Sequence, residues 1–252
     1  MKKIILVGAN GNLGPVWAKT ILESGATLLC LGKEKLPDKN LELLLGKFPN
    51  SAKYREFDVR NRRVAEEPEL NGSTYTGLVI NSGIDSIPGN GKARITDYSY
   101  DEWVEILSVN VAGVANTINQ FSNFLTANSS IVIIGSIYGL VSPNEELYNH
   151  YNSGEGTVKH PAYTASKSAI IGLCKQYATH LANSGIRVNL LTLGGFEGNQ
   201  DREFVSKFNK KVPTGRMATS GDVVGALMFL LSPASNYVTG HNLIVDGGYT
   251  LF

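Results

Sequence analysis

The chain has 252 residues, 42% of them hydrophobic, and 23 Lys+Arg against 22 Asp+Glu give a net charge of +1. That length supports a sizeable buried core without metals or disulfides, and the even charge balance argues against nucleic acid or an anionic membrane as partner. Cys30 and Cys174 sit in apolar stretches without metal-ligand spacing, which predicts buried, reduced thiols, no metal site and a reducing compartment.

The elements follow in chain order. Met1-Lys2-Lys3 leads into an apolar run that stops at Gly8, too short for the h-region of a signal peptide, and no stretch approaches the ~18 apolar residues of a membrane span. A cytoplasmic protein is expected. Strands are predicted at Lys3–Val7, Thr27–Leu31, Ala52–Phe57, Gly77–Asn81, Ile131–Gly135, Arg187–Leu193 and Asn242–Val245. All but Ala52–Phe57, which is placed as a further strand, are short, rich in leucine or β-branched residues, and bounded mostly by Gly, Asn or Ser. Helices are predicted at Leu13–Ser24, Tyr100–Thr126, Ala162–Ser184 and Gly221–Leu231. Strands apolar on both faces, alternating with helices, make an α/β fold: one doubly wound domain over residues 1–252, with a mostly parallel seven-stranded sheet and helices on both faces. The stretch Tyr138–Pro161, with Pro143, Gly154, Gly156 and Pro161, is long for a connection in a compact domain and is expected to be an extended substrate loop, the alternative being a surface excursion or subunit contact.

The first strand enters Gly8-Ala-Asn10-Gly11-Asn12-Leu13-Gly14 and then a helix. Such a turn lets backbone approach a pyrophosphate and lets the helix pack close to the strand, while the helix start offers N–H groups to phosphate oxygens. A dinucleotide is therefore the expected cofactor. A carboxylate closing the second strand would select NAD by binding the ribose 2′-hydroxyl. Here Gly32 stands there and Lys33 follows, so NADP is preferred over NAD, with Glu34 or backbone as the alternative ribose contact. Asp58-Val59 and Asn81-Ser82-Gly83 close the third and fourth strands, placed for the adenine and the nicotinamide ribose respectively.

Tyr163-Thr-Ala-Ser-Lys167 opens a predicted helix, and i,i+4 spacing puts both side chains on one face. A tyrosine with a pKa near 10 is a poor acid–base group at neutral pH, and a neighbouring ammonium favours its phenolate. Ser136, at the end of the fifth strand, can donate to a carbonyl oxygen.

Gly8–Gly14, Asn81-Ser-Gly83, Asn110 in Ser-Val-Asn-Val, Ser136, Tyr163-x-x-x-Lys167 and Val245-Asp-Gly-Gly-Tyr249 together resemble the short-chain dehydrogenase/reductase family over nearly the whole chain. The resemblance implies a Rossmann-type fold. It also implies an NAD(P)-dependent oxidoreductase acting on a small-molecule carbonyl or alcohol, and a homotetramer paired through the tail and the long helices. Tyr163 would be the acid–base group. Lys167 would lower its pKa and hold the nicotinamide ribose, Ser136 would orient the carbonyl, and Asn110 would sit at a helix irregularity holding a water. Gly194 and Phe196 would border the cofactor. Several positions depart from the family pattern: Val7, the G-x-x-G-x-x-G spacing, Leu193, and Gly198, which stands where a threonine commonly touches the nicotinamide carboxamide, a contact Asn199 would supply instead. The segments Gly194–Gln200 and Val212–Met217 are similar to family members from bacterial surface-glycan and nonulosonic-acid gene clusters, which implies a sugar-derived substrate. Tyr148, His150, Tyr151, Asn199 and Gln200 are the candidate substrate contacts. Two other readings compete. A catalytically silent dinucleotide-binding regulator would be expected to lose the tyrosine or lysine. A nucleotide-sugar epimerase or dehydratase would carry a larger C-terminal domain, whereas this chain ends just after Asp246-Gly247-Gly248.

Overall fold

In the computed structural model, residues 2–61, 74–85, 91–151 and 156–252 are described. Seven strands, β1 (Lys3–Val7), β2 (Thr27–Gly32), β3 (Ala52–Glu56), β4 (Tyr75–Ile80), β5 (Leu125–Ser136), β6 (Arg187–Leu193) and β7 (Asn242–Val245), form one sheet in the order β3-β2-β1-β4-β5-β6-β7. Every neighbouring pair is parallel. The period-two alternation of strand side chains divides the core. Ile5, Val7, Leu29, Leu31, Leu78, Ile80, Ile131 and Ile133 pack on one face, and Ile4, Leu6, Leu28, Cys30, Val79, Val132 and Ile134 on the other. Both faces are therefore covered, as continuous apolar strands demand.

The helices are α1 (Gly14–Glu23), α2 (Lys39–Leu45), α3 (Tyr100–Leu107), α4 (Gly113–Phe121), α5 (Pro161–Leu181), α6 (Arg202–Lys211) and α7 (Ser220–Leu231). α1 and α7 cover the second face, α4 and α5 the first. The single helix expected over Tyr100–Thr126 is instead α3, a π-turn at Ser108–Ala112 and α4, followed by a 3₁₀ turn, and Leu125–Thr126 already belong to β5. α2 and α6 were not expected. Both thiols are free and buried, and burial pushes each up to about 12.

The chain leaves β1 towards β2 on one side and pairs with β4 on the other. This is the point where the strand order reverses, and ligands in open parallel sheets bind beyond the strand ends there. The turns after β1, β2, β4, β5 and β6 all open onto that edge.

Candidate active site

A cleft of about 250 Å³ lies at the reversal point, lined by the glycine turn, Gly32–Glu34, Asp58, Arg60 and Asn81–Ile84. Glycine is required at several points in its wall. Gly8 has a left-handed φ of +81°, and a Cβ there would run into the backbone of Ser82. Gly14 is buried, and a Cβ would collide with the Ala9 carbonyl, so this glycine fixes the approach of α1 to the turn. Leu13, the N-cap of α1, provides no side-chain cap. Asn81 ties the wall together: its amide donates to the Gly8 carbonyl (2.9 Å) and its oxygen accepts from Trp17 Nε1 (2.9 Å). Asn12 is exposed at the lip. These residues fit a dinucleotide, because the glycines leave backbone bare where phosphates would lie.

At the adenosine end the space beside Gly32 is filled. A Cβ on Gly32 would collide with the Tyr54 hydroxyl. That hydroxyl donates to the Glu34 carbonyl (2.8 Å) and accepts from Asn10 Nδ2 (3.1 Å); burial, then Glu34, push it up to about 12. Asn10 also donates to the Glu34 carboxylate (2.9 Å) and accepts from the Asp38 backbone (3.1 Å), so it fastens the glycine turn to the segment after β2. Lys33 is exposed on the cleft rim. Asp58 is gripped by Arg60, Nε to Oδ1 at 3.0 Å and an η nitrogen to Oδ2 at 2.7 Å, and this grip holds its carboxyl below the usual range. Val59 is buried against Gly113.

At the other end, β5 carries Ser136 and α5 carries Tyr163 and Lys167. His160 caps α5, its Nδ1 accepting from the Ala162 N–H at 3.0 Å, and Pro161 occupies the first turn, where no N–H is needed. Ser136 lies on the side of the Tyr163 hydroxyl and favours its phenolate. Lys167 is buried; its Nζ donates to the Ile134 carbonyl (3.2 Å) and stands 5.7 Å from the Tyr163 ring centre. Asn110 sits in the π-turn, the expected helix irregularity. It is buried, bonded to both backbone groups of Ile84 (2.8 and 2.9 Å) and to Ser166 Oγ (3.0 Å). A Cβ on Gly83 would lie 3.4 Å from Asn110 Oδ1 and 3.5 Å from Lys167 Nζ. Gly83, Asn110 and Lys167 therefore meet at this end of the cleft.

Two charged groups the sequence motifs missed complete this end. Lys159, in the segment entering α5, pairs with Asp85 beyond β4 at 2.5 Å, and its side chain is only 7% exposed. Its ammonium lies 5.2 Å from the Tyr163 ring centre, and 5.4 and 5.7 Å from those of Tyr138 and Tyr148. Burial, then Asp85, push Tyr163 up to about 12, against the pull of Lys159 and Ser136. Burial draws Lys167 down to about 8. Burial also opposes the charge on Lys159, but Asp85 and the tyrosine hydroxyls hold it above its ordinary value.

Within the 138–161 stretch, residues 146–151 lie against α6. Tyr148 is buried among Tyr138, Phe204 and Phe208, and its hydroxyl meets that of Tyr138 at 2.9 Å. Tyr151 donates to Asp201, whose other oxygen lies 3.0 Å from His150 Nε2. Lys207 reaches Asn149 (2.5 Å) and His150 Nδ1 (3.1 Å). Gly154 lies outside the described residues. Gln200 closes its own turn, accepting from Gly198 N (2.8 Å) and donating to the Phe196 carbonyl (2.9 Å), and Asn199 is exposed. Gly194 packs against Asp246 in the tail, and Phe196 bridges to Ala218. Among the described residues no group of His, Cys, Asp and Glu could hold a metal ion, and no helix is long and apolar enough to cross a membrane.

Comparison with known proteins matches residues 8–250 to a family profile described as Enoyl-(Acyl carrier protein) reductase. The chain is 29% identical to post-translational flagellin modification protein A of Campylobacter coli, over 99% of this chain and 98% of that protein. Among solved structures, it is similar to a short-chain dehydrogenase of Leptospira borgpetersenii with bound NAD+, at 28% identity and a TM-score of 0.82, covering 99% of this chain and 92% of that one. It is also similar to an Agrobacterium tumefaciens protein with bound NADP, described as a candidate 2-deoxy-D-gluconate 3-dehydrogenase. That match has 27% identity and a TM-score of 0.80, covering 100% of this chain and 97% of that one.

Proposed function

We infer the reaction from one premise: this chain belongs to the short-chain dehydrogenase/reductase family, and it is an oxidoreductase of that family. The observation that carries the reading is Tyr163 beside buried Lys167 on α5, with Ser136 at the end of β5 and a glycine-walled cleft alongside. A bound nicotinamide supplies or accepts the hydride. Tyr163 gives a proton to the substrate oxygen in reduction and takes it back in oxidation. Ser136 holds that oxygen by donating to it. Lys167 reaches past Gly83 towards the ribose hydroxyls, and Asn110 fixes the loop that carries Gly83 through its two bonds to Ile84. Gly8–Gly14 would take the pyrophosphate, Asn81–Gly83 the nicotinamide ribose, Val59 and Asp58 the adenine, and Gly194 and Phe196 would border the cofactor.

The cofactor is NADP in preference to NAD. Tyr54 fills the space in which a strand-end carboxylate would stand, and Glu34 is engaged by Asn10, which leaves Lys33 on the rim for a 2′-phosphate. The substrate is a sugar-derived ketone or secondary alcohol. The likeness to a candidate 2-deoxy-D-gluconate 3-dehydrogenase supports this; of the expected substrate contacts, Tyr148 is buried against Tyr138, Tyr151 and His150 are held by Asp201, and Gln200 closes its own turn, so they do not carry the reading. The enzyme works in the cytoplasm as a homotetramer. Tyr100 and Val104 on α3, and Phe229, Tyr237, Ile244 and Phe252 around α7, β7 and the tail, are exposed apolar groups for its interfaces. The test is a screen of sugars, sugar acids and polyols with each cofactor, followed at the reduced-nicotinamide absorbance band. Turnover with NADP and a polyhydroxylated substrate is expected. Tight cofactor binding with no turnover on any carbonyl or alcohol would instead favour a silent regulator.

A further inference from the structure

Lys159 lies outside the Tyr163-x-x-x-Lys167 motif, yet its ammonium is nearer the Tyr163 ring centre than that of Lys167, 5.2 against 5.7 Å. A buried ammonium is costly to desolvate unless it is paired. Lys159 is paired with Asp85 on one side and faces the rings of Tyr138, Tyr148 and Tyr163 on the other, all within the range in which a ring face attracts a cation. Its charge is directed at the tyrosine cluster. The pair joins the turn after β4 to the segment entering α5, the two pieces of chain that bracket the reacting hydroxyl.

We propose that Lys159 is a positioning residue for Tyr163: a fixed ammonium that offsets the Asp85 carboxylate and keeps the phenol able to release its proton. The proposal rests on the reading of Tyr163 as the acid–base group. The groups facing that phenol are Ser136 from β5, Asp85 from the turn after β4, Tyr138 and Tyr148 from the 138–161 segment, Tyr249 from the tail, and Lys159 and Lys167. Burial and Asp85 favour the protonated phenol, and Lys159 opposes them. Lys167 bonds to the Ile134 carbonyl, and burial lowers its own hold on a proton to about 8. Asp85 holds Lys159 charged above its ordinary range. Of the two lysines, Lys159 is the one whose ammonium is held by a carboxylate and lies nearer the Tyr163 ring.

The sign of the effect separates this role from a mechanical one. Removing Lys159 alone takes a cation from beside the phenol and leaves the Asp85 carboxylate in place. Removing both charges leaves the local net charge unchanged. The experiment titrates the Tyr163 phenolate by ultraviolet absorbance, as the difference between each protein and the same protein carrying Y163F. The forms compared are the parent, K159R, K159M, K159Q and K159M/D85N, alongside kcat/KM against pH for sorbitol oxidation. In K159M and K159Q the titration should move up by about one unit or more, roughly tenfold less phenolate at a given pH. K159R should stay with the parent, and K159M/D85N should return most of the way towards it. An unmoved K159M, a double variant displaced as far as K159M, or loss of folding in both neutral variants would overturn the proposal and leave Lys159 a structural clamp. If no form oxidises sorbitol but the titration moves as expected, sorbitol is not a substrate and the role of Lys159 stands.

Discussion

At the scale of single residues, the site is organised by what surrounds Tyr163. Tyr163→Phe removes the transferable proton and little else, since the ring keeps its packing beside Lys159 and Lys167. Turnover should fall by about 10²–10⁴-fold, with cofactor affinity unchanged by fluorescence titration. At the opposite end of the cleft, Lys33→Ala should weaken NADP by at most about tenfold, because an exposed charge-assisted bond is worth only part of its buried value. NAD affinity should stay as it was, and isothermal calorimetry with each dinucleotide would register the contrast. The principal groups of the site could be read from sequence because they stand at fixed offsets from strand ends and from one another. Tyr163 and Lys167 share a helix face, Ser136 closes β5, and the glycine turn closes β1. Lys159 and Asp85 could not be read in this way. Their meaning comes from a contact between the turn after β4 and the entry to α5, and neither has a local pattern. Tyr54 is similar: only the register of β3 beside β2 brings its hydroxyl to Gly32.

Among the elements, the strands were legible because continuous apolar runs between Gly, Asn and Ser admit few alternatives. The helices that escaped bury little. α2 buries only Leu41, and α6 buries only Phe204 and Phe208, an i,i+4 pair in a lysine-rich segment. Their N-caps, Asp38 and Asp201, were the available signals. Asp201 does more than cap. It accepts from the backbone N–H groups of Glu203 and Phe204 at 2.9 Å, and from Tyr151, with His150 alongside, so α6 and the 138–161 segment share one carboxylate. Burial works against that carboxylate, but these bonds outweigh it and hold it at about 2. A depressed carboxyl contributes fully above its ordinary value near 3.9 and loses its effect as pH falls through about 2. The clamp should therefore hold at neutral pH and loosen only below about pH 4. Asp201→Asn keeps a capable N-cap and removes the charge gripping Tyr151 and His150. Limited proteolysis at pH 7 should then cut within residues 138–161 faster, while the melting temperature barely moves. Equal cleavage rates would mean that the aromatic packing of Tyr148, and not Asp201, holds the segment down.

For the molecule as a whole, exposed apolar groups at two separate places, around α3 and around β7 with the tail, predict a tetramer. Light scattering at micromolar concentration should return four times the mass of the chain, and a stable monomer would contradict it. The all-parallel sheet also has a consequence for how the chain becomes this shape. Parallel neighbours cannot be joined by a hairpin, so every strand pairing must await the closure of a crossover. Those closures are unequal: residues 8–26 and 33–51 join β1 to β2 and β2 to β3, whereas residues 81–124, 137–186 and 194–241 join the strands of the other half. Longer closures cost more entropy and slow the search. The nucleotide half should therefore assemble first during refolding or synthesis, before Tyr163 has a site to enter. The two tryptophans report on the two halves. Trp17 is buried in α1 and bonded to Asn81, and Trp103 packs edge-on against His160 at the entry to α5. In single-tryptophan variants followed by stopped-flow fluorescence, the Trp17 signal should reach its native value ahead of that of Trp103. A chain halted on the ribosome between the two would already present a nucleotide cleft that is unable to catalyse.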